Sequence, residues 1–579
     1  MNWLDFFVIF LLLGGTVGIG VYLSRGSNSN VAQYLMASHS ANPINVGLSI
    51  FVAFVSALSL TGYPSEVYLY GTAQLWNAIT VPIIIAFGCY TIHPVFYRTR
   101  SDSVFDYVKI RFGEDISKIC LVSSLLSWGF FVSAAILSPS YAIKAVLDDA
   151  FDLDPQSNMV LFLVIISMTV ICIIYTYLGG MNAVIMADVI NGFALIGATL
   201  VITIKLATTI GFSKITEVCE RTKCNTMFSA WLESKEHFDL TYRSAPLIIV
   251  FRLLIDALIT LPLQQAMAQR FNMCKNMKDG RIAMAIGGFC ISLFLMMAVF
   301  IGVATLAFYD GRDALCEIPI RPDQIVPTLI IDMFRNTHGF QGLFLVAIFS
   351  ATLSSFSSFL SGASLVMLPS VKSIFGTKYT DVTYCRIIML FTGILTCLLS
   401  ISMSFNPGTL LGILFMTTTN LGAPYFGTVL TGMFAPFVNR KGIIAGCFAP
   451  LFPLSIVILR KIFPTTTTYE SNMFTNRSFN SSIDASNLAL YCQNETFIDN
   501  IEPSPYWQQA LLEPSTYAFG IYALLGFLII STSVSYFTKK EDAPKYLTVY
   551  FKDGIDQLPE EFKHKTVENI KSESMTLLE

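Results

Sequence analysis

Charged residues are scarce in this sequence, and histidine is rarer still. Asp, Glu, Lys and Arg make up 13% of the 579 residues, which is about half of what a soluble globular protein carries. The five histidines form no metal-ligand pattern with the twelve cysteines, and this disfavours a zinc site. No catalytic constellation accompanies them. These absences argue against a soluble enzyme and against a membrane enzyme.

Apolar residues take the place of the missing charge. They make up 54% of the chain, the mean hydropathy is +0.62, and apolar runs repeatedly reach the roughly 20 residues that cross a bilayer as a helix. We therefore predict an all-α integral membrane protein whose membrane domain covers residues 1–537. About thirteen spans are expected, near residues 4–24, 43–70, 78–97, 120–146, 159–178, 182–205, 245–265, 283–308, 340–366, 385–404, 408–434, 442–460 and 515–537.

The positions of Lys and Arg predict the orientation. They cluster in the segments 98–118 and 269–282, the latter including Arg270, and again at 440–441. The span count places all three segments on one side, and basic loops are retained in the cytoplasm. The N-terminus is then extracellular, and the charged tail 538–579 is cytoplasmic and solvated.

The extracellular side of this topology contains features that fit it. The loop 461–514 holds three sequons for N-glycosylation, at Asn476, Asn480 and Asn494. Cys219 and Cys224 fall in another predicted outer loop, where oxidation can occur. They are the first candidates for a disulfide, although their spacing alone does not decide it.

The ninth span is unusually rich in hydroxyl groups. Residues 350–364 read SATLSSFSSFLSGAS, with seven serines and one threonine. Small hydroxyl residues let membrane helices pack closely and bond back to their own carbonyls, and this interpretation suffices for a single serine. Ala351, Ser354 and Ser355, however, lie at i, i+3 and i+4, which puts one carbonyl and two hydroxyls on one helix face. Such oxygens can bind a hard cation.

Two spans carry residues that break helices. Gly62 and Pro64 interrupt span two, and Pro262 interrupts span seven. A broken helix exposes backbone carbonyls that bind sodium when they line a cavity. Because the breaks lie five spans apart, they indicate an inverted repeat, with one half near 43–205 and the other near 245–434.

The sequence resembles the sodium/solute symporter family over nearly its whole length. It is most similar to the branch of animal carriers for multivitamins, monocarboxylates and iodide, and the resemblance implies a LeuT-like fold of five plus five inverted helices. The blocks that carry it are GYPSEVYLYG (62–71), SVFDYVKIRFG (103–113), YLGGMNAVIMADVIN (177–191), QQAMAQRFNMCKNMKDGRIA (264–283), the ATLSSFSS run and LGAPYFGTVLTGMFAPFVNRKGIIAG (421–446).

The resemblance also implies site residues. Sodium ligands would be the carbonyls of Val52, Val55 and Ala351 and the hydroxyls of Ser354 and Ser355. Asp188 matches the family's acidic position near that site, where it either balances the ion's charge or serves as a structural carboxylate facing the cytoplasm. The implied solute pocket consists of Phe54, Ser56, Ser59, Leu137, Ala257, Thr260, Leu261, Gln264, Phe415 and Thr419.

One pair of charges departs from the family pattern. Arg252 and Asp256 lie at i and i+4 within span seven, where related carriers have small or apolar residues. Charges inside a membrane are costly enough to be functional candidates. Either the two neutralise each other as a helical ion pair, or Arg252 attracts an anionic solute from the outer vestibule.

Two functions fit these observations. The first is sodium-driven uptake, across the plasma membrane, of a small organic anion such as a monocarboxylate or a vitamin-like solute. The alternative is a solute-gated sodium sensor or leak channel on the same scaffold. Expected partners are the solute, sodium as coupling ion and the bilayer, with no other cofactor and no nucleic acid. The sequence predicts no oligomeric state.

Overall fold

The computed structural model is almost entirely helical in the residues it describes. These are 41–99, 103–151, 157–227, 246–310, 322–334, 339–376, 378–405, 410–453, 516–538 and 543–550, with a few isolated positions besides. The α-helices, in chain order, are α1 Pro43–Phe54, α2 Ala57–Tyr70, α3 Trp76–Tyr90, α4 Ile92–Thr99, α5 Val104–Phe112, α6 Glu114–Phe151, α7 Asn158–Ile210, α8 Phe212–Arg221, α9 Pro246–Thr260, α10 Gln265–Asn272, α11 Met277–Phe308, α12 Ile325–Phe334, α13 Phe340–Phe375, α14 Asp381–Met403, α15 Leu410–Phe434, α16 Arg440–Gly446 and α17 Thr516–Thr538.

Many of these helices are long and apolar enough to span a membrane. Within the described residues seven pass this test by length and composition, and two bent helix pairs raise the number to nine. The prediction of a multi-pass helical membrane protein is confirmed. The count of thirteen spans stays a prediction.

Helix α7 differs from the expected pair of separate spans. Helical structure runs through 53 residues, Asn158–Ile210, or about 80 Å at 1.5 Å per residue. It contains two apolar segments, Asn158–Ile174 and Val184–Ile210. The structure therefore replaces the predicted loop near 179–181 with continuous helical backbone.

Both predicted breaks exist, but one lies elsewhere than expected. The pair α1–α2 and the pair α9–α10 are each bent by 53°. Pro262 lies in the second break, as predicted. The first break falls at Val55 and Ser56, whose ψ angles of 94° and 172° are extended, while Pro64 lies inside α2. The predicted placement of the first break at Gly62 and Pro64 is therefore wrong. Pro64 does not break α2, because membrane helices tolerate an internal proline when neighbouring helices pack against it.

The start of the C-terminal tail packs on the helical bundle. The N–H of Val549 donates to the Met433 carbonyl (3.1 Å), the Tyr107 hydroxyl donates to the Leu547 carbonyl (3.0 Å), and Leu547 is buried. The expectation of a solvated tail is therefore wrong for residues 546–549, which are buried or half-buried. Apolar side chains of this segment, such as Leu547, are buried against the bundle near the end of α15.

Candidate functional site

The predicted sodium ligands lie where the end of α1 meets α13. Because α1 ends at Phe54, its last helical bond runs from the Val55 N–H to the Phe51 carbonyl, and the carbonyls after Phe51 lack helical N–H donors. The Ser355 hydroxyl donates to one of them, the carbonyl of Ala53, over 3.1 Å. Val52, Val55, Ala351, Ser354 and Ser355 are all buried. The fold thus brings together, from two helices, the oxygen-bearing residues that the sequence singled out.

Asp188 on α7 adds a carboxylate to this region. Its Oδ2 accepts hydrogen bonds from the Ser49 hydroxyl at 2.6 Å and from Arg270 Nη2 at 3.2 Å. Its Oδ1 is buried and makes no hydrogen bond to any described residue, and the same holds for the Ser354 hydroxyl oxygen. Ser354 lies close to Asp188. Ser354 of α13 and Asp188 of α7 therefore lie close to each other, on two helices that both contact α1.

Arg270 is not the cytoplasmic-loop charge that the sequence predicted. Its side chain is fully buried, since the bundle supplies it with acceptors. These are the hydroxyls of Ser49 and Ser358, the carboxylate of Asp188 and the carbonyl of Ala266. Arg270 thereby balances the charge of Asp188, and it no longer counts towards the orientation of the chain.

Most other serines of α13 bond to their own helix. The hydroxyls of Ser357 and Ser361 donate to carbonyls three residues earlier, and that of Ser364 donates to the Leu360 carbonyl. Ser358 does the same with the Ser354 carbonyl while also accepting from Arg270. These bonds fit a packing role for the four serines. Ser358 in addition accepts from Arg270, and the Ser364 hydroxyl also donates to the Cys385 carbonyl of α14 at 3.2 Å.

A cavity adjoins the α1 break. It encloses about 750 Å³, its open mouth included. Of the predicted pocket residues, Phe54, Ser56, Ser59, Ala257 and Thr260 border it. The other side chains that border it, which were not predicted to line a pocket, are Leu58, Tyr63, Asn77, Ser127, Trp128, Phe131, Asp256, Ile259, Leu411, Leu414 and Thr418.

Four other predicted pocket residues do not border this cavity. Leu137 and Leu261 are fully buried in protein. The Gln264 side chain caps α10 by accepting from the Met267 N–H at 3.1 Å. Thr419 accepts from Arg252. The side chain of Phe415 lies outside the described residues.

Several cavity residues left only a weak signal in the sequence. Asn77 and Trp128 are polar-edged side chains within apolar spans, and the Asn77 amide donates to the Tyr63 hydroxyl at 2.7 Å. An amide within an apolar run was a detectable clue. Which helix faces meet around the cavity was not, because that depends on the packing of distant segments.

Arg252 and Asp256 form an ion pair. Arg252 Nη2 lies 2.7 Å from Asp256 Oδ1, and the Arg252 side chain is fully buried. Its Nη1 donates to the Thr419 hydroxyl at 2.6 Å. Arg252 does not border the cavity, whereas Asp256 does. This geometry agrees with mutual neutralisation and gives no support to the attraction of an anion by Arg252.

Of two features predicted for the outer side, the structure describes the cysteine pair and does not describe the glycosylation sequons. Cys219 and Cys224 are joined by a disulfide, and the Cys224 carbonyl accepts from the Thr72 N–H at 2.9 Å. The turn closed by this disulfide therefore contacts the connection between α2 and α3, which the predicted topology also places outside. The sequons at Asn476, Asn480 and Asn494 lie outside the described residues.

A helical membrane bundle with two broken helices, a buried oxygen cluster and an adjoining cavity has the architecture of an ion-coupled secondary transporter. The model of the sodium:solute symporter family matches residues 34–449. The chain belongs to this family, and it is a sodium-coupled symporter and not an enzyme.

Named relatives and a solved structure agree with this assignment. The chain is 26% identical to a putative sodium-dependent multivitamin transporter of Drosophila melanogaster, over 77% of this chain and 73% of that protein. It is 24% identical to sodium-coupled monocarboxylate transporter 1 of Xenopus laevis, over 76% and 69%. A Na+-coupled sialic acid symporter, in a substrate-bound outward-open state, has the same fold with a TM-score of 0.71 at 18% identity, over 94% of this chain and 99% of that one.

Proposed function

We propose that this symporter carries a small organic anion, a monocarboxylate or a vitamin-like solute, into the cell across the plasma membrane. The N-terminus is extracellular and the C-terminus cytoplasmic. Each sodium ion that enters contributes about 2.3 kcal/mol per 100 mV of membrane potential. The cavity is mostly apolar, with a few hydroxyls, one amide and the Asp256 carboxylate, whose charge Arg252 balances. Such a lining suits a small solute with a polar end, and relatives named for multivitamins and monocarboxylates support this class.

The proposed sodium ligands are the carbonyls of Val52, Val55 and Ala351 and the hydroxyls of Ser354 and Ser355. The observation that carries this assignment is the meeting of oxygen-bearing groups at the end of α1. The Ser355 hydroxyl reaches the Ala53 carbonyl, and Ser354 lies close to the Asp188 carboxylate, whose Oδ2 accepts from Ser49 of α1. A sodium ion fits beside these oxygens, because hard cations prefer oxygen ligands.

The break after α1 couples the ion to the solute. Val52 and Val55 offer carbonyls to sodium, and Phe54 and Ser56, from the same short stretch, border the cavity. Sodium at the break holds this extended backbone in one conformation and so positions the cavity wall for the solute. Without sodium, the protein must order the break when the solute binds, and its affinity for the solute is therefore lower than that of the sodium-bound protein.

Radiolabelled uptake tests the proposal in cells that express the protein. Lactate, short-chain fatty acids, biotin, pantothenate, iodide and glucose are supplied with and without sodium. We expect one of the organic anions to accumulate above equilibrium only with sodium. Equilibration without accumulation would instead indicate the sensor or leak channel.

The double substitution Ser354→Ala with Ser355→Ala tests the ion site in the same assay. Two hydroxyl ligands, each worth about 1 kcal/mol, are lost, so the sodium concentration for half-maximal uptake should rise roughly thirtyfold. Ser357→Ala with Ser361→Ala is the matched control, since those hydroxyls bond to their own helix. Equal sodium dependence of both variants at equal surface abundance would show the assigned site to be wrong.

A further inference from the structure

Asp256 borders the cavity with a carboxylate that the protein satisfies only in part. Its Oδ1 pairs with Arg252 and accepts from the Thr419 hydroxyl at 3.4 Å. Its Oδ2 is buried and makes no hydrogen bond to any described residue. A carboxylate oxygen removed from water is a strong acceptor. A solute in the cavity is the group that can supply the missing donor.

Hydrogen-bond donors border the same cavity. The indole N–H of Trp128 has no acceptor among the described residues, and Trp128 borders the cavity. The Tyr63 hydroxyl accepts from the Asn77 amide, so its own proton remains to be donated elsewhere. The cavity therefore combines donors that suit a carboxylate with an acceptor that suits a hydroxyl or an ammonium.

We propose that Asp256 is a specificity-determining residue that recognises a hydroxyl or ammonium group on the carbon next to the solute's carboxylate. Trp128 and Tyr63 donate to the carboxylate itself. This inference rests on the proposed function, in which the solute is an organic anion. An anionic solute can approach Asp256, because the buried guanidinium of Arg252 neutralises this carboxylate and prevents the repulsion that it would otherwise exert on an anion.

Three acids with one carbon skeleton test the inference. Lactate, alanine and propionate carry hydroxyl, ammonium and hydrogen, respectively, on the carbon next to the carboxylate. Sodium-driven uptake of lactate or alanine should be half-saturated at a concentration about tenfold or more below that of propionate, since a hydrogen bond to a charged group discriminates by this much. A preference for lactate would identify a hydroxyl as the donor to Asp256, and a preference for alanine would identify an ammonium group.

Variants assign the preference to Asp256. The double substitution Arg252→Leu with Asp256→Leu removes the pair together, so that no buried charge is left alone. The preference over propionate should then fall to within about twofold. Arg252→Met with Asp256→Leu, which also removes both charges together, replaces this double variant if it does not reach the surface. The matched control is Lys144→Leu with Asp148→Leu, which removes another buried i,i+4 ion pair that does not border the cavity and should leave the preference intact.

Each result decides the inference separately from the proposed function. Equal uptake of all three acids by the parent, or a preference that survives in the Asp256 variants at equal surface abundance, overturns the inference while sodium-driven uptake still stands. If the parent takes up no organic anion, the proposed function fails, and binding to the purified parent in sodium decides the inference. A rise in Tm with lactate or alanine but not with propionate upholds it, and no rise or equal rises overturn it.

Discussion

At position 520, on α17, a glycine makes room for the buried arginine of α9. A Cβ at Gly520 would overlap Arg252 Nη1 and would approach the Thr419 Cβ to 2.9 Å. The guanidinium reaches Thr419 and Asp256 from this space. The ion pair therefore depends on a third helix that contributes no side chain, and no pattern within α9 reveals this.

Gly520→Ala should reduce surface abundance several-fold, because the added methyl displaces a buried charge from its partners, a change that costs about 3–5 kcal/mol. Gly526→Ala on the same helix is the control, since its Cβ would meet only the Ala449 Cβ, at an ordinary 3.5 Å. Surface biotinylation measures both. If the two variants reach the surface equally, Arg252 does not occupy the space beside Gly520.

At the scale of elements, the two broken helices share the same bend although different residues produce it. Pro262, in the break after α9, has no N–H with which to continue the helix. The break after α1 contains no proline, and Val55 and Ser56 adopt extended backbone while Ser355 of α13 bonds to the Ala53 carbonyl. One break is thus encoded locally, and the other is stabilised by a neighbouring helix.

Pro262→Ala should lower sodium-driven uptake several-fold at equal surface abundance, because alanine restores an N–H that can bond to the Leu258 carbonyl and extend α9. Pro64→Ala is the comparison, since Pro64 lies inside α2, and its effect should be smaller. Uptake and surface labelling of both variants provide the measurement. Equal losses would indicate that Pro64 also maintains a functional break.

At the scale of the whole molecule, segments far apart in sequence meet at one end of the bundle. Arg98 donates to the Thr548 carbonyl at 2.9 Å, and Arg111 donates to the carbonyls of Pro436 and Val438. The predicted topology assigns all of these segments to the cytoplasm. Their contact is consistent with that topology and gives the basic residues of the segment 98–118 a packing role as well.

The orientation makes a prediction for intact cells. Replacing Asn476, Asn480 and Asn494 together by Gln should shift the protein to its deglycosylated mobility on a gel, because the loop 461–514 is proposed to be extracellular. An antibody against the tail should bind only after permeabilisation. A parent without glycans would remove this support, and antibody binding to unpermeabilised cells would overturn the orientation.

The sequence by itself determined the membrane character, the helical class, the family and the break at Pro262. The family follows from the resemblance of its sequence blocks, and the other three follow from transfer free energies and backbone chemistry, which act within a single segment. It also placed Arg252 and Asp256 within reach of each other, since i and i+4 share a helix face. Family motifs supplied the candidate sodium ligands, and the fold brings the residues that carry them together at the α1 break.

Only the tertiary structure decided the features that depend on distant segments. Arg270 looked like a loop charge until packing placed it beside Asp188, 82 positions away in sequence. Ser355 meets the Ala53 carbonyl across 302 positions, and Asn77, Trp128 and Asp256 come from different helices to one cavity. Hydrogen bonds and ion pairs inside a bundle form wherever helices bring complementary groups together, and no local pattern records which helices those are.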